Sequence, residues 1–287
     1  MNSSGKVTSS SKSNFVPAFF FLEKKKREAL SALYAFCRLT DDIVDMVSEE
    51  SDNSLAEKKL TLWRQSTEHS FENKSAHPVL LEFSQAVKNY KIPQKHVFRL
   101  IDGVQMDLEK KRYKNFEELY PYCYGVASTV GLMCLNIFGA EGVQAENYAV
   151  HLGVAFQLTN ILRDVKTDGQ RGRIYIPLED LEKFGFTDQE WLRVVLDVKS
   201  ASQKELSGFK DLIEFEGARA EDFYRKAMEG LTFKDRSKLL PAFLMTSIYY
   251  SILNKILKNP LRVLHSKVEL SKLEILCRLL SSWIKNR

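Results

Sequence analysis

The sequence predicts an all-α protein, a single-domain antiparallel helical bundle around a central cavity. Three observations carry this. Only 13 Gly and 7 Pro punctuate 287 residues, too few breakers for many short strands. Apolar residues recur at helical spacing from end to end. No Asn-Gly or Asp-Gly turn joins two alternating runs as a hairpin would. With 44% hydrophobic and 28% charged residues, the chain has a globular composition and enough length for a sizeable core. No internal repeat or long linker divides it. Residues 14–287 are therefore expected as one domain behind a flexible, Ser- and Lys-rich segment, 1–13.

The helices follow in order. Glu23–Val47 carries Leu30, Leu33, Tyr34 and Cys37 on one face. Asn53 or Ser54 caps a helix to about Ser70, with Leu60 and Trp63 inward. Pro78 suits the first turn of a helix ending near Tyr90, and Pro93 opens another to about Lys111. Asn115, with Glu118 three residues on, resembles a capping box for Phe116–Phe138. Ala145–Val165 is mostly apolar until Asn160, and Gly169–Gly172 is a break. Pro177–Phe184 is short, and Thr187 caps Glu190–Val195. Ala201–Glu229 and Phe233–Lys258 are long, and Lys267–Lys285 closes the domain.

The formal net charge of +5 is a mild excess. No Lys/Arg run interleaves with aromatics, which argues against nucleic acid as a partner. Such a charge suits anionic substrates or a peripheral contact with an anionic membrane. Cys37, Cys123, Cys134 and Cys277 form no C-x-x-C pair and sit in apolar stretches, so they read as buried thiols of a cytoplasmic protein. Leu119–Ala140 has no charge over 22 residues and meets the length test for a membrane span. Its Pro121, Gly125, Gly131, Asn136 and three tyrosines favour a buried core helix instead.

Two acidic constellations stand out. Asp41 and Asp45, in Asp41-Asp42-Ile43-Val44-Asp45, are four apart, so a helix stacks them roughly 5–6 Å from each other. Like charges so placed repel unless a cation lies between them. Mg²⁺ is held by one or two carboxylates plus substrate phosphates. Gln157, Asn160, Asp164 and Asp168 share a face at the end of an apolar helix, where unpartnered polar groups would cost several kcal/mol. The two motifs lie 123 residues apart, each beside an arginine, Arg38 or Arg163. Facing each other across an apolar cavity, they would clamp a diphosphate through Mg²⁺, with forked arginine bonds to phosphate.

The runs Tyr34-Ala35-Phe36-Cys37-Arg38-x-x-Asp41-Asp42-Ile43-Val44-Asp45, Tyr122-Cys123-Tyr124-Gly125-Val126-Ala127-Ser128-Thr129-Val130-Gly131 and Gln157-Leu158-Thr159-Asn160-Ile161-Leu162-Arg163-Asp164 resemble the three signature segments of the squalene/phytoene synthase family. Arg171-Gly172-Arg173-Ile174-Tyr175-Ile176-Pro177 is similar to a fourth. The resemblance implies an isoprenoid synthase fold and a magnesium-dependent prenyltransferase, with Mn²⁺ as an alternative ion. NADPH is not expected, but reductive members of the family bind it without a G-x-G-x-x-G motif, so the absence of that motif here does not exclude it. It implies metal ligation by Asp41, Asp42, Asp45, Asn160, Asp164 and Asp168. It implies substrate contacts from Tyr34, Arg38, Gln157, Arg163, Arg173, Tyr249 and Lys267, and from a flap containing Ser11, Ser13 and Asn14. Tyr122, Asp107 and Arg38 match positions tied to catalysis. The sequence departs from the family pattern at Glu23, Thr167 and Asn14, none of them a core ligand.

The implied reaction joins two allylic prenyl diphosphates head to head. The segment through Gly185, with Leu239-Leu240-Pro241-Ala242, most resembles the branch that makes presqualene diphosphate from two farnesyl diphosphates. Phytoene synthesis from geranylgeranyl diphosphate, and squalene or dehydrosqualene synthesis, are the alternatives. An inactive synthase-like assembly protein would have lost acidic ligands that are present here. A head-to-tail prenyltransferase or terpene cyclase would not predict the Tyr122 segment.

Overall fold

The computed structural model describes residues 3–10, 19, 22–45, 53–231 and 238–285. Among these residues there is no strand, and helices follow one another as expected. They are α1 (Ser3–Ser10), α2 (Lys24–Asp45), α3 (Asn53–Phe71), α4 (Pro78–Asn89), α5 (Gln94–Glu109), α6 (Phe116–Cys123), α7 (Thr129–Phe138) and α8 (Val143–Gln170). After them come α9 (Leu178–Lys183), α10 (Asp188–Leu196), α11 (Gln203–Met228), α12 (Leu240–Lys258), α13 (Arg262–His265) and α14 (Lys272–Lys285).

Local chemistry sets the boundaries. The Asn115 side chain accepts from the Glu118 amide at 2.9 Å, satisfying one orphan donor of α6. Thr187 and Glu190 close a full capping box on α10, as Ser202 and Glu205 do on α11. Gly139 ends α7 at φ 77°, where a Cβ would be strained.

Several expectations need correction. Residues 3–10, read as flexible, form α1, because the Glu82 carboxylate accepts from the Ser3 and Ser4 amides at 2.8 and 2.9 Å. That anchor satisfies the helix N-terminus from 78–79 residues away. Helix α8 runs to Gln170 instead of ending near Val165. Gly169 permits this, since a Cβ there would approach Val195 at 3.0 Å. Helix α14 starts only at Lys272, after the separate turn α13. Cys277 is exposed, not buried.

The segment 116–138 is long and apolar enough to cross a membrane, yet 56% of its apolar 18-residue stretch is buried within the fold. It is not one regular helix. Residues Tyr124–Ser128 form a π-helical turn, closed by a bond from the Thr129 amide to the Tyr124 carbonyl. Pro121, unable to donate within the helix, precedes it. Glycines let three backbones meet here. A Cβ on Gly153 of α8 would lie 2.5 Å from the Ser128 Cα. Gly125 sits against Gly103 of α5, and Gly131 against Ala149 of α8. These crossings seat the irregular segment at the middle of the bundle.

Candidate active site

Helices α2, α5, α8 and α12, with α6, the π-helical turn and α7, enclose a cavity of about 410 Å³. Along α2 its lining runs Leu30, Leu33, Tyr34, Cys37, Arg38, Asp41, Asp45. Along α8 it runs Tyr148, Ala149, Leu152, Gly153, Phe156, Gln157, Asn160, Asp164, Asp168. Both helices pass from apolar to acidic toward their C-termini. At 1.5 Å per residue the apolar stretches Leu30–Cys37 and Tyr148–Phe156 are each about 10–12 Å long. Helix α5 also ends at the acidic side, contributing Val104 and then Asp107. Three helix C-termini thus add their partial negative charge to the carboxylates there.

The two acidic motifs therefore share one cavity, the arrangement that a clamp on diphosphate would need. Asp41, Asp45, Asn160, Asp164 and Asp168 all line it. Asp42 does not. One residue from Asp41 is a turn of about 100° around the helix, and Asp42 instead pairs with Arg38 at 2.7 Å. Tyr34, Arg38, Gln157, Arg163, Arg173, Tyr249, Tyr122 and Asp107 line the cavity as expected. Lys267 is half-exposed at its edge, 3.1 Å from Asp164. Ser11, Ser13 and Asn14 lie outside the described residues.

Arginines already address the acids. Arg163 forks onto Asp164 at 3.0 and 2.5 Å and hydrogen-bonds Tyr249, whose ring stacks on Phe156. Burial pushes the Asp164 carboxyl up, but the Arg163 bonds and the Lys267 charge outweigh it and hold Asp164 below the usual range. Asp45 accepts from Arg171 at 2.9 Å and Arg173 at 3.3 Å.

The remaining carboxyls are crowded. Enclosure, then Asp45 and Asp107, raise Asp41 to about 8. Its side chain is nonetheless exposed, so the like charges of Asp45 and Asp107 weigh more, and burial less, than in a dry interior. Burial, then Asp164 and Asp107, raise Asp168 to about 8. The buried Asn160 Oδ1 has no hydrogen-bond partner among the described residues.

This donor set fits a hard divalent cation. Carboxylate and amide oxygens from two helices line the same end of the cavity, and the Asn160 oxygen is left without a partner among the described residues. Among the described residues no three such side chains converge tightly enough to hold an ion alone. That suits Mg²⁺, which completes its shell with water and substrate phosphate.

Two residues went unmarked by the sequence. Tyr175 donates to Asp107 Oδ1 at 2.6 Å, and Tyr122 donates to Oδ2 at 3.2 Å. The two rings stack at 5.0 Å. Burial lifts Asp107 to about 6 against the pull of Arg173 and the two hydroxyls. Burial, and then Asp107, hold both phenols well above their ordinary value, so both stay protonated. Arg171 is the second addition. Both belong to the quoted run Arg171–Pro177, whose place beside Asp45 and Asp107 only the fold reveals.

Comparison with known proteins follows the same lines. A family model described as squalene/phytoene synthase matches residues 8–274. The 15-cis-phytoene synthase of Synechococcus elongatus is 30% identical over 285 residues, covering 95% of this chain and 89% of that protein. A chloroplastic phytoene synthase of Narcissus pseudonarcissus is 31% identical over 281 residues, covering 96% of this chain and 64% of its own length. The chain thus spans about three fifths of the chloroplastic relatives it matches. Among solved structures, a dehydrosqualene synthase in complex with ligand superposes with a TM-score of 0.80 at 27% identity, covering 99% of this chain and 96% of that one. The squalene synthase HpnC from Alicyclobacillus acidocaldarius gives 0.73 at 25% identity, covering 89% and 92%.

Proposed function

The chain belongs to the squalene/phytoene synthase family, and we propose that it condenses two allylic prenyl diphosphates head to head, with two farnesyl diphosphates giving presqualene diphosphate. One observation carries the reading: a single cavity with acids from two helices at one end and an apolar wall down its length. The polar end suits the diphosphates and the apolar end the chains.

The residues divide the work. Arg38, Arg163, Arg171 and Arg173 are within the lining and would exchange carboxylate partners for phosphate oxygens, their planar forks matching both. Asp41, Asp45, Asn160, Asp164 and Asp168 would hold divalent cations, which when bound neutralise diphosphate as it leaves. Phe156, Tyr34 and Tyr249 line the cavity, where aromatic rings would favour a developing allylic cation. The apolar wall excludes the water that would trap it. When the cyclopropane closes, a proton must leave carbon. Tyr122 stays protonated, so it serves by passing its own proton to Asp107 as it accepts the new one. Tyr175 and Arg173 hold the Asp107 carboxylate in place for that transfer.

Phytoene synthesis from two geranylgeranyl diphosphates is the second reading, favoured by the names of the relatives above. Incubation of purified protein with Mg²⁺ and each diphosphate, followed by identification of the lipid, separates the two. Presqualene diphosphate from farnesyl diphosphate is expected, and phytoene as sole product overturns the first reading. Asp41→Asn and Asp164→Asn should each abolish turnover with helicity unchanged. Retained activity in both refutes the site.

A further inference from the structure

The turn after α8 aims two arginines at one carboxylate oxygen. Asp45 Oδ1 accepts from Arg171 Nη1 at 2.9 Å and from Arg173 Nη1 at 3.3 Å. The backbone fixes that aim. The Arg171 and Arg173 amides both donate to the Asp168 carbonyl, at 3.0 and 2.9 Å. Gly172 between them takes φ 65°, which a side chain would strain. The Arg112 guanidinium donates to the Gly172 carbonyl at 2.6 Å, and the Ile174 amide donates to the Lys111 carbonyl at 3.0 Å. The segment before α6 thus ties the turn down.

The two arginines differ in freedom. The Arg173 side chain is 11% exposed and also lies 3.9 Å from Asp107 Oδ2, so it bridges two acids. The Arg171 side chain is 41% exposed, and Asp45 is its one ion-pair partner among the described residues. Asp45 ends the first acidic motif and is one of the carboxylates that would hold a divalent cation. A cation at Asp45 and a guanidinium on the same oxygen repel each other at this range. Only one of them can keep that oxygen. A guanidinium released from a carboxylate fits a phosphate through the same planar fork.

We propose that Arg171 is a latch on Asp45, holding the carboxylate against the cation until a diphosphate arrives to take the guanidinium. This rests on the diphosphate chemistry proposed above and adds an order of binding to it. Arg173, buried and shared with Asp107, stays in place, and Arg171 is the arm that moves. Cation and diphosphate then tighten each other's binding by the same factor, as linkage requires. The protein thereby completes its cation site at Asp45 only when a leaving group is present to be neutralised.

Equilibrium dialysis of the full-length chain against Mn²⁺, alone and with inorganic diphosphate, tests the latch without turnover. Wild type should retain little Mn²⁺ alone and far more with diphosphate. Arg171→Gln should bind Mn²⁺ alone on the order of tenfold more tightly and lose a similar factor from the gain that diphosphate brings, with the circular dichroism spectrum unchanged. Arg171→Lys keeps the charge and should stay near wild type with Mn²⁺ alone. Arg38→Gln removes the same charge from the cavity lining, but from a residue paired with Asp42 outside it. It should shift the affinity for Mn²⁺ alone by about twofold or less. Wild-type affinity for Mn²⁺ alone in Arg171→Gln overturns the latch, and so does equal tightening by Arg171→Gln and Arg38→Gln. The condensation is judged by its lipid product, so either result leaves that reading standing. A wild type that binds no Mn²⁺ even with diphosphate overturns the cation site and the latch together.

Discussion

Raising the pH should weaken the metal-free protein, and a divalent cation should reverse the loss. Asp168 is held at about 8 in the fold, against about 3.9 in an unfolded chain. The native state therefore keeps a proton that the unfolded state has released. Stability from this group is fully present below about pH 4 and is lost as pH rises toward 8. At about 1.4 kcal/mol per pH unit, Asp168 alone would cost at most about 3 kcal/mol between about pH 5.5 and 8. Asp168 is only half-buried, and solvent screening lowers this to about 1–2 kcal/mol, a fall of about 2–8 °C in melting point. Glu216, raised to about 8 chiefly by burial, adds a slope of the same sign. His77 and His96, lowered by burial, add the opposite one. The decisive quantity is thus the difference between wild type and Asp168→Asn, measured by thermal denaturation in chelator across that range. The variant should show a shallower decline. Mg²⁺ with inorganic diphosphate should raise the wild-type melting point more at pH 8 than at pH 6, because bound cations require the deprotonated carboxylates. Parallel curves for the two proteins, or a cation effect independent of pH, would refute the argument.

Gly153→Ala should destabilise by about 2–4 kcal/mol, since its Cβ would meet the Ser128 backbone at 2.5 Å; urea denaturation measures it, and an unchanged midpoint would show that the crossing is loose. Tyr175→Phe removes the 2.6 Å bond to Asp107 and should lower kcat by about 10–100-fold with KM little changed and the acidic limb of the pH profile displaced. A rise in KM alone would assign Tyr175 to substrate binding. Arg219 bridges the buried Asp180 at 2.8 Å and the buried Glu216 at 2.6 Å, away from the cavity. Arg219→Met should cost about 3–5 kcal/mol at neutral pH, whereas Glu216→Gln, replacing a group already protonated there, should cost about 1 kcal/mol or less. Equal losses in the two melting curves would contradict the protonated state of Glu216.

Much of the fold was legible because its determinants are local. Caps at Asn115 and Thr187, Pro78 in a first turn, and apolar periodicity lie within a few residues of what they specify. The shared cavity of Asp41 and Asp164 was legible for a different reason: two acidic stripes emerging from apolar helices have a common physical need. Periodicity also contained the answer for Asp42, whose neighbours Asp41 and Asp45 share a face that it cannot. The rest depended on distant partners. Helix α1 forms on Glu82, and the π-helical turn forms where Gly153 admits the Ser128 backbone. Tyr175 and Arg171 lie around an irregular turn with no period to read, and their roles exist only once α5 and α2 stand beside them.

The same contrast separates a binding site from a structural acid cluster. At Asp180, Glu216 and Arg219 the fold supplies its own cation and leaves one acid protonated, so nothing further is needed. In the cavity, Asp41 and Asp168 make no ion pair among the described residues, like charges and helix C-termini crowd them, and the Asn160 oxygen is orphaned. A fold under selection for stability alone would replace such groups with apolar ones. Their cost becomes intelligible when the missing positive charge arrives with a ligand whose own negative charge then draws Arg38, Arg163, Arg171 and Arg173 from carboxylate to phosphate.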